Sequence, residues 1–559
     1  MTPLAYDEYV PTFAERSRWT LPQVLELRAE THGDKVFLDV PDAGVTMTYR
    51  QVRTLSRRIA HGLTAHGHAP GDRIVIMLDN RVEYLLAWFG SSLAGMAEVP
   101  INTAYRGTFL EHQVSTVAPS AVVTSPEYAP RFVESKAACT TVRTVYVVGD
   151  TTGSDAGVEA TVAMLRDAGY DARGFTELTT APETAPEAAP LPHHLAAIFF
   201  TSGTTGLSKG VAMSHSQLYF FADEGVSLVR LTEKDVYLSV GPLFHGNAQF
   251  LAAYPAMIVG ARFVMHAKFS ASRWTRWIRD SRATVTNLVG VMSDFLWKQP
   301  PAQEDADNDL RCVWAVPNPT GVADRFKERF GIEELVENFG LTEISMPILT
   351  PYGKPRPPGA AGLAVADWFD VKLVDPATDE EVAVGEVGEL VVRPRVPWTT
   401  SNGYFGMPDK TAEALRNCWF HTGDGLRRDE DGWYYFVDRL KDAIRRRGEN
   451  ISSYEVEQAI LSHELVTECA VIGVPADGMS SEDEVLAAVV LADDASMAPA
   501  DFWAFCDQRI PAFAVPRYVR FVDELPTTPS GKLQKAPLRA AGTAEAFDRT
   551  HSATDLVAG

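Results

Sequence analysis

Residues Leu195–Gly210 read LAAIFFTSGTTGLSKG. A short apolar run, Leu195–Phe200, has the length and composition of a buried strand, and it passes directly into a loop of glycine, serine and threonine that ends in Lys209 and Gly210. Glycine lets backbone N–H groups approach an anion closely, hydroxyls add donors, and a lysine supplies a mobile point charge. The loop therefore reads as a phosphate cradle. It is not a Walker A loop, which needs Gly before the Lys and Ser or Thr after it; here Ser208 precedes Lys209 and Gly210 follows. A P-loop kinase or ATPase releasing ADP is disfavoured by these residues, although it remains the rival from another enzyme class.

The same strand–loop–helix grammar extends in both directions. Ser214-His215-Ser216-Gln217 has the spacing of a capping box that opens a helix. Upstream, Arg73–Leu78, Ala121–Thr124 and Thr144–Val148 read as strands, and Arg81–Leu93 as a helix. Strands alternating with helices predict an α/β fold of mainly parallel sheets covered on both faces. The Pro-, Ala-, Glu- and Thr-rich stretch Thr179–Pro192 reads as an exposed, semi-extended connection. Beyond about residue 440 the pattern predicts a separate, compact α+β unit. It has a capping box at Ser452-x-x-Glu455, a helix through Val456 and Ile460, strands at Val471–Val474 and Val485–Leu491, a helix over Pro499–Ile510, and a strand at Tyr518–Val522. The last twenty residues read as a frayed tail. The expected domains are 1–438 and 439–559.

The chain has 559 residues, enough for several domains or subdomains at about 150 residues each. Its 46% hydrophobic and 22% charged residues suit a globular enzyme. A net charge of −22 argues against nucleic acid or an anionic membrane as the main partner. The apolar stretch from Phe250 to Ala261 is too short for a membrane span, which needs roughly 20 residues. The N-terminus has neither a basic nor an apolar targeting region, and five scattered cysteines give no C-x-x-C pair. A cytoplasmic protein without a zinc framework is expected, with monomer and homodimer both open.

Five further segments follow the cradle in order: Gly241–His245 (GPLFH), Asn338–Glu343 (NFGLTE), Gly403–Asp424 ending WFHTGD, Asp438–Asn450 (DRLKDAIRRRGEN) and Pro526–Lys532 (PTTPSGK). With them the sequence resembles the AMP-forming acyl-CoA synthetase, adenylation-domain and luciferase superfamily, collinearly from about residue 20 to 540. It looks most like the carnitine/crotonobetaine-CoA ligase-like branch. The resemblance implies a large multi-subdomain N-terminal AMP-binding domain, a small mobile C-terminal lid domain with its hinge near Lys441, and ATP, Mg²⁺ and CoA as cofactors or substrates.

It also implies the site. Thr201, Ser202, Gly203, Thr204, Thr205, Gly206 and Lys209 would hold the β- and γ-phosphates, with Ser208 standing where relatives usually have Pro. In Asn338-Phe339-Gly340-Leu341-Thr342-Glu343, the aromatic side chain would lie against adenine, Thr342 on phosphate and Glu343 on Mg²⁺. Phe339 replaces the usual Tyr, and Ala315-Val316-Pro317-Asn318-Pro319 replaces a Gly-Gly-Ala run, so no adenine-edge contact is assigned there. Asp424 would bind the ribose hydroxyls and Arg439 ribose or phosphate. Lys532 would drive adenylation, because a cation between an attacking carboxylate and the α-phosphate offsets their repulsion as charge develops. Gly448 belongs to the 442–450 segment implied to reach the acyl-adenylate, Arg445 and Asn450 fall where related aryl-CoA ligases place residues used in adenylation, and Arg445–Arg447 is a candidate contact for CoA phosphates.

His245 would gate the acid pocket; it need not be a base, since a carboxylic acid is already ionised at pH 7. Gly241–Phe250 (GPLFHGNAQF) carries no carboxylate to pair an α-ammonium, which discounts free amino acids. Asn247, Gln249, Asn287, Val289, Gly290, Val291 and Met292 suggest a partly polar cavity suited to an aryl or short-to-medium acyl acid. The acceptor could instead be an amine, a carrier-protein thiol or another nucleophile. A non-catalytic binding module fits poorly, because every charged position of the pattern is filled.

Overall fold

The computed structural model describes residues 4–149, 156–184, 189–201, 208–289, 292–319, 321–439, 444–446, 449–451, 453–475, 483–510, 512, 514–528 and 533–552. The chain divides into two compact units. The first comprises residues 1–371, 392–420 and 430–434; the second comprises 372–391, 421–429 and 435–559.

Two seven-stranded sheets build the first unit. One runs Asp171–Gly174, Thr144–Val147, Ala121–Thr124, Arg73–Met77, Ala97–Pro100, Leu195–Thr201 and Lys209–Ser214. Its pairs are parallel except the last, where Leu195–Thr201 turns back antiparallel into Lys209–Ser214. Strands such as RIVIM, AVVT and TVYV are buried almost throughout, because helices cover both faces and leave no face for alternating polar residues. The other sheet runs Glu334–Val336, Cys312–Val316, Val285–Val289, Val236–Ser239, Arg262–Met265, Val36–Val40 and Val45–Thr48, with only the last pair antiparallel. A three-stranded antiparallel sheet, Asn338–Leu341, Ser345–Leu349 and Leu363–Ala364, completes this unit. Gly340 is required there by space: a Cβ would lie 2.3 Å from the Ser345 carbonyl oxygen.

The helix His215–Leu228 follows the phosphate-cradle hairpin and is buried along nearly its whole circumference. Ser214 caps it, its hydroxyl accepting from the Gln217 backbone N–H at 3.1 Å. Asp223 of this helix fastens the N-terminal segment by accepting from the Tyr9 hydroxyl (3.1 Å) and the Thr12 N–H (2.9 Å). Most of the 179–192 connection that is described is exposed, as its composition predicts.

Most of a four-stranded sheet, Phe369–Val374, Val387–Pro394, Phe420–Arg428 and Tyr434–Arg439, belongs to the second unit. So does a second sheet, Val466–Pro475, Asp483–Leu491, Tyr518–Phe521 and Phe547–Asp548. The helices Ser453–Leu461 and Pro499–Asp507 contribute side chains to the apolar core with that sheet. The frayed-tail expectation fails up to residue 552. Phe547 and Asp548 pair with Val519 and Tyr518, and the Asp548 carboxylate meets the Arg517 guanidinium at 3.0 Å, which holds it below the usual carboxylate range. The Ser452 position of the predicted capping box lies outside the described residues. Among the described residues no helix is long and apolar enough to cross a membrane.

Burial raises the Asp223 carboxyl from 3.8 to about 6, against the opposing hydrogen bonds from Thr12 and Tyr9. Between these pH values the folded chain keeps a proton that the unfolded chain has lost. The stability this group contributes is fully present below pH 3.8 and is lost as pH rises through about 6. Asp223→Asn should remove this slope. Denaturant midpoints measured from pH 4 to 6.5 should show wild type losing up to about 3 kcal/mol relative to the variant.

Candidate active site

The turn between the strands Asn338–Leu341 and Ser345–Leu349 carries Thr342 and Glu343. Glu343 is 7% exposed, so its carboxylate needs donors. One oxygen, Oε1, accepts from the Tyr404 hydroxyl at 3.0 Å and from Thr201 Oγ1 at 3.4 Å; Oε2 takes no hydrogen bond from a described residue. Thr201 ends the strand that leads into the cradle. Burial and the neighbouring Glu343 push the Tyr404 hydroxyl above its ordinary range, so Tyr404 stays a donor.

Tyr404 is placed by backbone pairing. The segment Asn402–Phe405 runs beside the strand Lys209–Ser214: the Ala212 N–H donates to Gly403 O (2.9 Å), the Asn402 N–H to Ala212 O (2.8 Å) and the Phe405 N–H to Gly210 O (2.7 Å). Gly403 has φ +93°, and a Cβ there would lie 2.4 Å from the Thr411 methyl. The Lys209 ammonium sits 4.2 Å from the centre of the Tyr404 ring. Thr201, Lys209 and Glu343 are thus brought together through Tyr404. Ser202, Gly203, Thr204, Thr205 and Gly206 lie outside the described residues.

Asn338 is buried, and its side-chain oxygen accepts from Trp314 Nε1 at 2.8 Å. Phe339 and Gly340 are half-buried. His245 is half-buried at the start of a short helix, Gly246–Ala248, which passes into a π-helical turn, Gln249–Ala253. Irregular turns of this kind are frequent at functional sites. Asn80 brackets the approach to His245: its amide donates to Gly241 O (2.8 Å) and His266 O (3.0 Å), and its oxygen accepts from the Leu243 N–H (2.7 Å). Asn287 donates to Asn247 Oδ1 at 2.6 Å, joining two of the polar residues expected near the pocket. Gly290 and Val291 lie outside the described residues.

Gln249 is fully buried. Its amide donates to Leu243 O (2.7 Å), the Tyr84 hydroxyl (3.3 Å) and Glu98 Oε2 (3.3 Å). Burial pushes the Glu98 carboxyl well above the usual carboxylate range, opposed by the Gln249 hydrogen bond. The His245 loop thus rests on a sequestered hydrogen-bond network that includes a buried acid. Sequence reading missed Glu98, Asn80 and Tyr404. Glu98 leaves one signal, a carboxylate inside the apolar run Ala97–Pro100.

In the second unit, Asp424 is 1% exposed within the strand Phe420–Arg428. Its N–H donates to Thr422 Oγ1 at 3.1 Å, and the Gly423 N–H donates to Glu389 at 2.9 Å. Glu389 also holds His421 Nδ1 at 2.9 Å. Arg439 ends the strand Tyr434–Arg439, and Arg445 pairs with Asn450 in the hairpin Ile444–Arg446/Glu449–Ile451; their side chains lie outside the described set. Lys441, Gly448 and Lys532 also lie outside it. The base of the Lys532 loop is described: the Gln534 N–H donates to Pro526 O at 2.8 Å, and Thr527 pairs with Leu533. Lys535 is anchored on Glu457 (2.9 Å) and Ser453 (2.6 Å).

Residues 25–405 match the sequence family of AMP-binding enzymes, and 455–532 match the AMP-binding enzyme C-terminal domain. The chain belongs to the AMP-binding enzyme family. This AMP-binding enzyme is 31% identical over 527 residues to the crotonobetaine/carnitine–CoA ligases of Salmonella paratyphi A and Salmonella typhimurium, covering 93% of this chain and 98% of theirs. Its fold matches ATP-bound MatB from Rhodopseudomonas palustris with a TM-score of 0.79 at 27% identity, over 93% of this chain and 99% of that one. It also matches an anthranilate CoA ligase in complex with anthranoyl-AMP, with a TM-score of 0.81 at 24% identity, over 93% and 97% of the two chains. The α/β architecture with a large N-terminal and a smaller C-terminal part agrees with the sequence reading, and the membership is that of the AMP-forming acyl-CoA synthetases.

Replacing Glu98 tests the buried network beneath the His245 loop. Glu98→Ala should remove one of the acceptors of the Gln249 amide and leave a void in a fully buried site, lowering stability by about 2–4 kcal/mol in denaturant melts. Glu98→Gln keeps an acceptor and carries no charge, and should stay within about 1 kcal/mol of wild type.

Proposed function

We propose that this AMP-binding enzyme activates an aryl or short-to-medium acyl carboxylic acid with ATP and transfers it to CoA. In the first step a carboxylate oxygen bonds to the α-phosphorus of ATP and pyrophosphate leaves, giving an acyl-adenylate. In the second, the CoA sulfur attacks the acyl carbon, the thiol proton passes to solvent and AMP leaves, giving the thioester. The observation that carries the reading is Glu343: a buried carboxylate with one oxygen held by Tyr404 and Thr201, at the mouth of the Thr201–Lys209 hairpin.

Its donor set fits Mg²⁺, a hard cation that takes one or two carboxylates together with phosphate oxygens. Among the described residues no cluster of three or more His, Cys, Asp and Glu competes as a metal cage. Glu343 would hold the ion, which when bound offsets phosphate charge. The protein's own groups carry the remaining work. Thr201, Lys209 and the 202–206 loop bind the β- and γ-phosphates, Thr342 a phosphate oxygen, Phe339 the adenine face, and Asp424 and Arg439 the ribose. Lys532 offsets the repulsion between carboxylate and α-phosphate. His245, Asn247 and Asn287 shape the acid pocket.

The proposed domains are 1–438 and 439–559. Turning about Lys441 would exchange Lys532 for the 442–450 segment between the two steps, with Arg445 toward CoA. A cytoplasmic setting supplies both ATP and CoA.

ATP–pyrophosphate exchange across aryl, aliphatic and betaine-type acids, with CoA added afterwards, tests the reading. Acid-dependent exchange followed by thioester is the expected result. AMP release without thioester would move the acceptor to another nucleophile, and ADP release without exchange would sink the reading. Lys532→Ala should lose acyl-AMP formation by at least about 100-fold. It should still form thioester from supplied acyl-AMP; survival of both half-reactions would remove Lys532 from the mechanism.

A further inference from the structure

Ser214 receives the Gln217 backbone N–H, but the Gln217 side chain does not complete a capping box by returning to Ser214. It reaches across to another element, donating from Nε2 to the Thr342 carbonyl oxygen at 2.9 Å. Seven residues on, at the same face of the helix His215–Leu228 after two turns, Glu224 Oε2 accepts from the Met346 N–H at 3.0 Å. Both side chains are wholly buried, with relative exposure of 0%. The helix therefore grips the turn that bears Glu343 at both of its ends.

Between these two points the turn has little freedom left. The Glu343 carbonyl accepts from the Ser401 N–H at 2.8 Å, and the Ile344 N–H donates to Leu341 O at 3.1 Å. Ser345 holds φ +59°, a left-handed conformation unusual for a side-chain-bearing residue, and its hydroxyl donates to Thr399 O at 2.8 Å. A conformation of this kind persists when the surroundings over-determine it. Helix formation does not call for a buried glutamine and a buried glutamate on an otherwise apolar face. Burial pushes the Glu224 carboxyl well above the usual carboxylate range, opposed by the hydrogen bond from the Met346 N–H.

We propose that Gln217 and Glu224 are positioning residues for Glu343: they fix the turn whose carboxylate serves the magnesium–ATP complex, and so set nucleotide use and not acid selection. The inference rests on the reading of Glu343 given above. It assigns the helix after the phosphate cradle a second task, aligning the nucleotide carboxylate with the cradle that precedes it.

Gln217→Met and Glu224→Met keep the unbranched shape and remove the hydrogen bonds; Glu224→Gln keeps an acceptor for the Met346 N–H. Two measurements are made on each full-length variant. Amide hydrogen exchange over residues 342–346 should be about 10-fold faster or more in both Met variants and near wild type in Glu224→Gln, with the strand Arg73–Met77 unchanged as reference. In the pyrophosphate exchange assay, using the acid that gives the strongest exchange, the Met variants should need about 10-fold more Mg²⁺ for half-maximal rate and show a raised KM for ATP. Their KM for the acid should stay within about 2-fold.

Unchanged amide exchange at 342–346 would overturn the clamp itself. An equal rise in the acid and ATP constants, or a Glu224→Gln variant as impaired as Glu224→Met, would overturn the assigned role. Faster amide exchange with an unmoved Mg²⁺ dependence would leave the clamp standing and overturn the magnesium assignment of Glu343. If a Met variant failed to fold, exchange of the 342–346 amides in Glu224→Gln and in the other single variant would still decide the question.

Discussion

A carboxylate taken out of water must be given donors, and the arrangement around Glu343 follows from that requirement. Its two donors come from different places: Thr201 from the end of the strand that opens the phosphate cradle, and Tyr404 from a segment laid along the returning strand of the same hairpin. Both hydroxyls engage one oxygen, Oε1, and Oε2 takes no hydrogen bond from a described residue. The three elements cannot slide independently without exposing a buried charge. The position of the cradle, the turn and the 402–405 segment is therefore one constraint and not three.

The same economy recurs at the His245 loop. Asn80 occupies both backbone groups around Gly241 and Leu243, and Gln249 takes the Leu243 carbonyl from the other side. Here burial pushes the acid, Glu98, well above the usual carboxylate range, whereas Glu343 is supplied with two hydroxyl donors. The contrast separates two settings of a buried acid: Glu98 and Glu224 each accept from a single amide N–H, and Glu343 accepts from two hydroxyls on one oxygen, the other being the one the proposed function uses.

Much of this was legible in the sequence where a local period or motif carries the signal. The strand expected at Arg73–Leu78 is Arg73–Met77, and the helix expected at Arg81–Leu93 is Val82–Leu93, because apolar runs bounded by turn residues settle such elements locally. Glu343 and Asp424 stand in motifs. Tyr404, Glu98 and Gln217 were not assigned these roles, because each acts through a partner 61, 151 and 125 residues away, a separation over which no local pattern reports. Gln217 was read through its spacing from Ser214 alone, which accounts for its backbone N–H and not for its side chain. The tail was misread for the same reason. Its order comes from pairing with Tyr518 and Val519 and from Arg517, none of it visible within the last residues themselves.

The proposed reaction explains why the fixed groups should cluster in the first unit. Bringing a carboxylate to a triphosphate opposes like charges, and the groups that bind the triphosphate in both ground and transition states gain nothing from moving. Glu343, Thr201 and Lys209 are accordingly tied to sheet strands and to one another. Charge that develops only as the α-phosphorus is attacked is better met by a cation on a separate loop, the role proposed for Lys532; the described residues flanking its segment are held by Gln534 on Pro526, Thr527 on Leu533 and Lys535 on Glu457. In the proposed reaction, a lysine on a loop of the second unit would be exchanged for another surface once pyrophosphate has left. A carboxylate clamped at both ends of its turn cannot be exchanged, and AMP must remain bound while the acyl group is transferred.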